Sequence, residues 1–164
     1  MKKVLIGFVM LVVLIVIYLK IGLPWEYWST KSAFEDHLEQ YDEKMVLDEI
    51  RFDFMHGNRY HGTAYVENNP EQRFHIGELR NAQIEDGYEY EKLHRKANKE
   101  IEAIIRTYLP EYKRVGVELV GFKDRELEIN VTISEVVSQQ KKDKILKAIE
   151  SKGYYTKQLF FQTN

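Results

Sequence analysis

The sequence predicts an α+β fold behind an N-terminal transmembrane helix. The expected order is α-β-β-β-α-β-β-α-β, with antiparallel sheet or sheets covered by helices. Three observations predict it. The first 25 residues hold a dense apolar block without an acidic residue. Beyond it, apolar residues switch between a spacing of three to four and a spacing of two, the helix and strand periods. Turn-forming clusters of Gly, Asn, Asp and Pro fall where the spacing changes.

The apolar block comes first. Val4 to Leu19 is uncharged, and 13 of its 16 residues are Leu, Ile, Val or Phe. At ~1.5 Å per residue the run is slightly short of a hydrocarbon core, so the working span extends toward Trp25, with Lys20 reaching the headgroups along its own stem. Residues 1–25 are therefore expected to be a signal anchor. Tyr18-Leu19-Lys20-Ile21-Gly22-Leu23-Pro24 lacks the small-x-small pair that cleavage needs, so the anchor is expected to stay. Tyr18, Trp25, Tyr27 and Trp28 form an aromatic belt at the exit side, and Lys2 and Lys3 at the other end place the N-terminus in the cytoplasm and the rest of the chain outside.

The remaining elements follow in order. Phe34, Leu38 and Tyr41 share one face of a helix from about Ser29 to Tyr41. Ile50, Phe52 and Phe54 alternate with Arg51 and Asp53 as a first strand, and His56-Gly57-Asn58-Arg59 turns the chain. Tyr60, Gly62, Ala64 and Val66 alternate with His61, Thr63 and Tyr65 as a second strand. Asn68-Asn69-Pro70-Glu71 turns again, and Phe74 and Ile76 mark a third strand. Leu93, Ala97, Ile101, Ile104, Ile105 and Tyr108 stripe a long helix from about Gly87 to Tyr108, which Pro110 stops. Val115, Val117 and Leu119, then Leu127, Ile129, Val131 and Ile133, form a hairpin around Lys123-Asp124-Arg125. A helix over Ser138 to Ser151 with Gly153 as its C-terminal cap, and a last strand through Tyr155, Leu159 and Phe161, close the chain.

Two divisions of the folded part are compatible with this order. One gives an αβββ unit at 26–84 and an αββαβ unit at 85–164. The other reads residues 72–164 as a ferredoxin-like βαββαβ, and a single continuous domain also remains open. Charge favours a boundary near 85: residues 26–85 hold 13 acids and 6 bases, while residues 86–164 hold 13 acids and 15 bases.

Composition excludes several activities. There is no cysteine, hence no disulfide, thiolate metal site or thiol nucleophile. The only charged residues before Glu26 are three lysines, so the remainder carries 21 bases against 26 acids, a balance that disfavours nucleic acid as a partner. Candidate chemistry is sparse. With Phe54 set opposite Gly62 and Tyr65 opposite His75, His61 and His75 come out roughly 13 Å apart, too far for one zinc. His37 and His94 stand alone on helices. The acidic pairs Glu35-Asp36, Asp42-Glu43 and Asp48-Glu49 read as solvated surface. Ser29, Ser32, Ser134, Ser138 and Ser151 lie near element ends, as caps do, and no nucleophile elbow or Gly-rich phosphate loop is present. Lys141, Lys142, Lys144 and Lys147 form a basic helix face. No catalytic, cofactor-binding or metal-ligating residue is assigned, and no cofactor is expected.

Leu23-Pro24-Trp25 after the anchor, Phe34 and Leu38, Ile50-x-Phe52-x-Phe54, Tyr60 with Ala64-Tyr65, Asn69-Pro70-x-x-x-Phe74, and Asp86-Gly87-Tyr88 opening a long helix form a pattern that resembles the YfjL-like family. These are small membrane-anchored proteins of Gram-positive bacilli with no assigned activity. The resemblance implies an anchored extracytoplasmic protein and supplies no catalytic residues. The resulting expectation is a non-enzymatic binding or interaction module at the outer face of a bacterial membrane, with the membrane and a protein at its surface as partners. The alternatives are a structural subunit of a membrane complex, pairing through its anchor or the strand edge near Leu159–Phe161, and an envelope-acting hydrolase.

Overall fold

A computed structural model describes residues 2–55, 57–81 and 83–163. The expected turn residue His56 lies outside the described residues. The fold is α+β, with a long apolar helix ahead of antiparallel strands and helices in the stated order. The chain divides into two compact units, Met1–Tyr88 and Glu89–Asn164.

In the first unit, α1 (Lys2–Ile21) is the apolar helix. Its side chains from Ile6 through Ile21 are exposed to a degree unlike any other helix in the chain. Gly22 ends it in the left-handed region at φ +69° and donates its amide to the Tyr18 carbonyl at 2.8 Å. Pro24 then opens α2 (Pro24–Leu38), ahead of the start near Ser29 that the sequence suggests. The fixed φ and missing N–H of proline suit the first helical position. α2 ends at Leu38, so Tyr41 falls beyond it rather than within it.

The strands β1 (Met45–Asp53), β2 (Arg59–Val66), β3 (Asn69–Glu78) and β4 (Ile84–Asp86) form one antiparallel sheet in sequence order. β4 is too short for periodicity to reveal. Asp53 pairs with Arg59 and Ile50 with Gly62, so β1 stops before Phe54, which lies exposed in the turn and not on the apolar face. Glu67 and Asn68 make the next turn, and Asn69 and Pro70 already belong to β3. The ladder there is irregular, with Tyr65 opposite Arg73 but Val66 opposite Asn69, which fits a proline that donates no ladder hydrogen bond. Phe34 and Leu38 of α2 cover Phe52, Tyr60, Ala64, Val66, Phe74 and Ile76, and Tyr88 completes this core. The other face of the sheet presents Glu49, Arg51, Arg73 and His75 to solvent, the one-sided burial that antiparallel sheets allow.

The second unit contains most of α3 (Tyr88–Tyr108), then β5 (Arg114–Gly121), β6 (Glu126–Ile133), α4 (Gln139–Ser151) and β7 (Tyr155–Thr163). β5 and β6 form the expected hairpin. β7 lies parallel to β6, so this sheet is mixed rather than wholly antiparallel. The reason is α4: a strand returned by a helical crossover arrives in the same direction as its neighbour. Ser138 caps α4 by accepting from the Lys141 amide, and Gly153 takes φ +80° after its end. Ala97, Ile101 and Ile105 of α3 and Ile145 and Ile149 of α4 pack with Leu127, Ile129 and Val131 into a separate core. Because β3 lies between β2 and β4 in the first sheet, residues 72–164 do not share one ferredoxin-like sheet.

Candidate functional site

The junction between α1 and the first sheet is the most elaborated feature of the Met1–Tyr88 unit. The Tyr60 hydroxyl donates to the Ile21 carbonyl at 2.9 Å, satisfying an acceptor that the helix end would otherwise leave open. Tyr18, in the last turn of α1, meets Phe52 edge-on with ring centroids 5.7 Å apart. Gly22 is buried between them: a Cβ there would lie 2.3 Å from the Tyr60 hydroxyl and 3.0 Å from the Phe52 ring. Glu78 ties the neighbouring elements together, accepting from the Thr30 hydroxyl of α2 at 3.0 Å and from the Tyr60 amide at 2.9 Å. Burial, with Glu26 and Glu78 nearby, pushes the Tyr60 phenol up to about 12. The phenol therefore stays protonated and remains a donor across the physiological range.

The open face of the same sheet carries the histidine pair. Thr63, not Tyr65, stands opposite His75, and His61 stands opposite Gly77. The two imidazoles stack with centroids 5.3 Å apart, which overturns the wide separation expected from sequence. The cause is the register: the ladder irregularity near Pro70 sets His75 diagonal to His61. Gly77 makes the room, since a Cβ there would come within 2.7 Å of His61 Nδ1 and 3.2 Å of His75 Nε2. His61 Nδ1 is buried and has no hydrogen-bond partner among the described residues. Its burial and the adjacent His75 hold the His61 imidazole below its ordinary value. Glu49, Arg51 and Thr63 complete a shallow groove of 260 Å³ around the pair. Among the described residues, no group of three or more His, Asp or Glu side chains is placed to hold a metal ion.

A third cluster surrounds Asp86, whose side chain is 5% exposed. It meets His37 Nε2 at 2.7 Å, accepts from the Tyr41 hydroxyl at 2.8 Å and accepts from the Tyr88 amide at 2.8 Å. Tyr88 in turn donates to Glu43. This network fastens the end of α2 to β4 and to the first turn of α3.

The other singled-out residues stay apart. His94 bonds the Val117 carbonyl at 2.9 Å, joining α3 to β5. Ser138 caps, and Ser151 donates to the Ala148 carbonyl. Asp42 and Glu43 line an open groove of 730 Å³ with Leu38 and Tyr41, while Asp48 pairs with Arg73. Lys141 borders a 480 Å³ groove between Leu109, Tyr112 and Val137, and Lys142 lies over the Phe161 ring at 5.4 Å. The junction partners Tyr60, Phe52 and Gly22 went unassigned in the sequence. The only signal was a glycine shortly after the apolar run, and its partners lie more than 25 residues away.

No family model and no curated protein matches the chain. Among solved structures, the chain is similar to a crystal structure of a DUF5037 family protein from Ruminococcus gnavus ATCC 29149, with 12% identity and a TM-score of 0.33. That match covers 73% of this chain and 66% of the other.

Proposed function

We propose that the protein is a membrane-tethered binding module, anchored by an uncleaved α1 and displaying its folded units on the extracytoplasmic side. One observation carries the reading. α1 is long and apolar enough to cross a membrane, it presents large apolar side chains along its length, and its last turn is locked into the first sheet by Tyr60, Phe52 and Gly22. A signal sequence destined for removal has no need of a fitted seat, and its loss would leave the Tyr60 hydroxyl only the longer bond to the Leu23 carbonyl at 3.4 Å. The open sheet face with the His61–His75 groove is the surface offered to a partner. The resemblance to YfjL-like proteins belongs to the same reading. A reporter enzyme that is active only outside the cytoplasm, fused after Asn164, is expected to be active in intact cells. An inactive reporter on a stable fusion overturns the orientation.

A further inference from the structure

We propose that the end of the first sheet from which α1 departs is itself a membrane-binding rim, seated in the headgroup and acyl boundary of the bilayer that α1 crosses. The proposal rests on the anchor reading above and adds a second, folded contact with the same bilayer. Outside α1, the exposed large apolar side chains of the Met1–Tyr88 unit, among the described residues, are Trp25 (67%), Trp28 (64%), Phe54 (46%), Met55 (74%) and Leu79 (39%). Scattered exposed apolar residues are ordinary, but these five are gathered at one end.

The topology brings them together. The Asp53–Arg59 pair closes the first hairpin, with Phe54 and Met55 at its tip. Glu78 pairs with Ile84, and the Leu79 amide donates to the Gln83 carbonyl at 2.7 Å, closing the second. The bond from the Tyr60 amide to Glu78 sets the two hairpins side by side. Trp25 and Trp28 lie on the first turns of α2, where Tyr27 packs edge-on against Tyr60 with centroids 6.3 Å apart. The same end holds the seat of α1, so the medium that receives the helix also meets the rim. Trp suits that boundary, with an apolar ring and a polar N–H. The rim also exposes Glu26 and Arg80, charges that headgroups can meet, whereas the far end of the sheet exposes no large apolar side chain among the described residues and presents Asp42, Glu43, Lys44, Glu67, Asn68 and Glu71. Continuity with the exit of α1 selects the bilayer over a second protein as the occupant.

The absence of cysteine makes a direct test simple. Full-length Met55→Cys, Leu79→Cys, Asn68→Cys and Leu14→Cys variants are each labelled with an environment-sensitive fluorophore. They are then placed in nanodiscs whose lipids carry a spin label, shallow for positions 55, 68 and 79 and deep in the acyl chains for position 14. The label at 14 reports the anchor, 55 and 79 the rim, and 68 the far end. The expected result is quenching at 14, and quenching at 55 and 79 several-fold stronger than at 68. Quenching at 14 with 55 and 79 no more quenched than 68 overturns the rim and leaves the anchor standing. No quenching at 14 overturns the anchor reading, and the rim falls with it.

Discussion

Gly22 and Tyr60 hold the junction between the apolar helix and the sheet, and each makes a distinct prediction. Gly22→Ala places a side chain at φ +69°, which costs about 1–2 kcal/mol in itself, and also sets a Cβ against the Tyr60 hydroxyl. Unfolding of the full chain in detergent is expected to show a lowered midpoint, with the Glu89–Asn164 unit unaffected. Tyr60→Phe removes the hydrogen bond to Ile21 and is expected to cost about 1 kcal/mol. The Tyr60 phenol also gives the wild type a pH signature. Its folded pKa is raised, so its contribution is complete below pH 10, where an unfolded tyrosine is still protonated. That contribution is lost as pH rises toward about 12. Stability measured across that window is expected to fall less steeply in Tyr60→Phe than in wild type. At this scale the sequence revealed residue types but not encounters. His61 and His75 were visible as outward-facing strand residues, yet their stacking depends on Gly77 and on the irregularity near Pro70, neither of which leaves a periodic trace.

Among the elements, helices and strands were legible wherever a period ran long enough. The stripe of α3 and the alternation of β5 and β6 appear in the sequence as they stand in the fold. Boundaries were less legible. Ile50, Phe52 and Phe54 alternate without a break, yet backbone pairing ends at Asp53 and leaves Phe54 outside. Pro24 reads as a helix stop but serves as a helix start, because the same fixed φ fits both sides of a break. β4 escaped notice because three residues show no period, although it carries Asp86. Asp86→Ala tests the network that Asp86 anchors. It removes the bonds from His37, Tyr41 and the Tyr88 amide, and hydrogen bonds to a charged group are worth about 1.5–3 kcal/mol each. The expected outcome is a clear loss of stability in denaturant unfolding, with faster amide exchange at the end of α2 and the start of α3.

Across the whole molecule, two small cores fold from one chain, each with a helix-covered sheet. The α+β class was readable because the change of period recurs along the chain. The separation into two sheets was one of the divisions the sequence left open, favoured by charge alone, since strand order does not say which strands pair. The exposed large apolar side chains of the Met1–Tyr88 unit gather where α1 leaves, with Glu26 and Arg80 among them, and the far end is charged. The uncleaved membrane anchor that we propose would account for that polarity, and it is the central claim. The most direct measurement is the intact mass of the protein recovered from the membrane pellet after alkaline extraction. The account predicts the full 19.6 kDa chain in the pellet. A soluble protein, or one shortened by residues from the N-terminal segment, would contradict it.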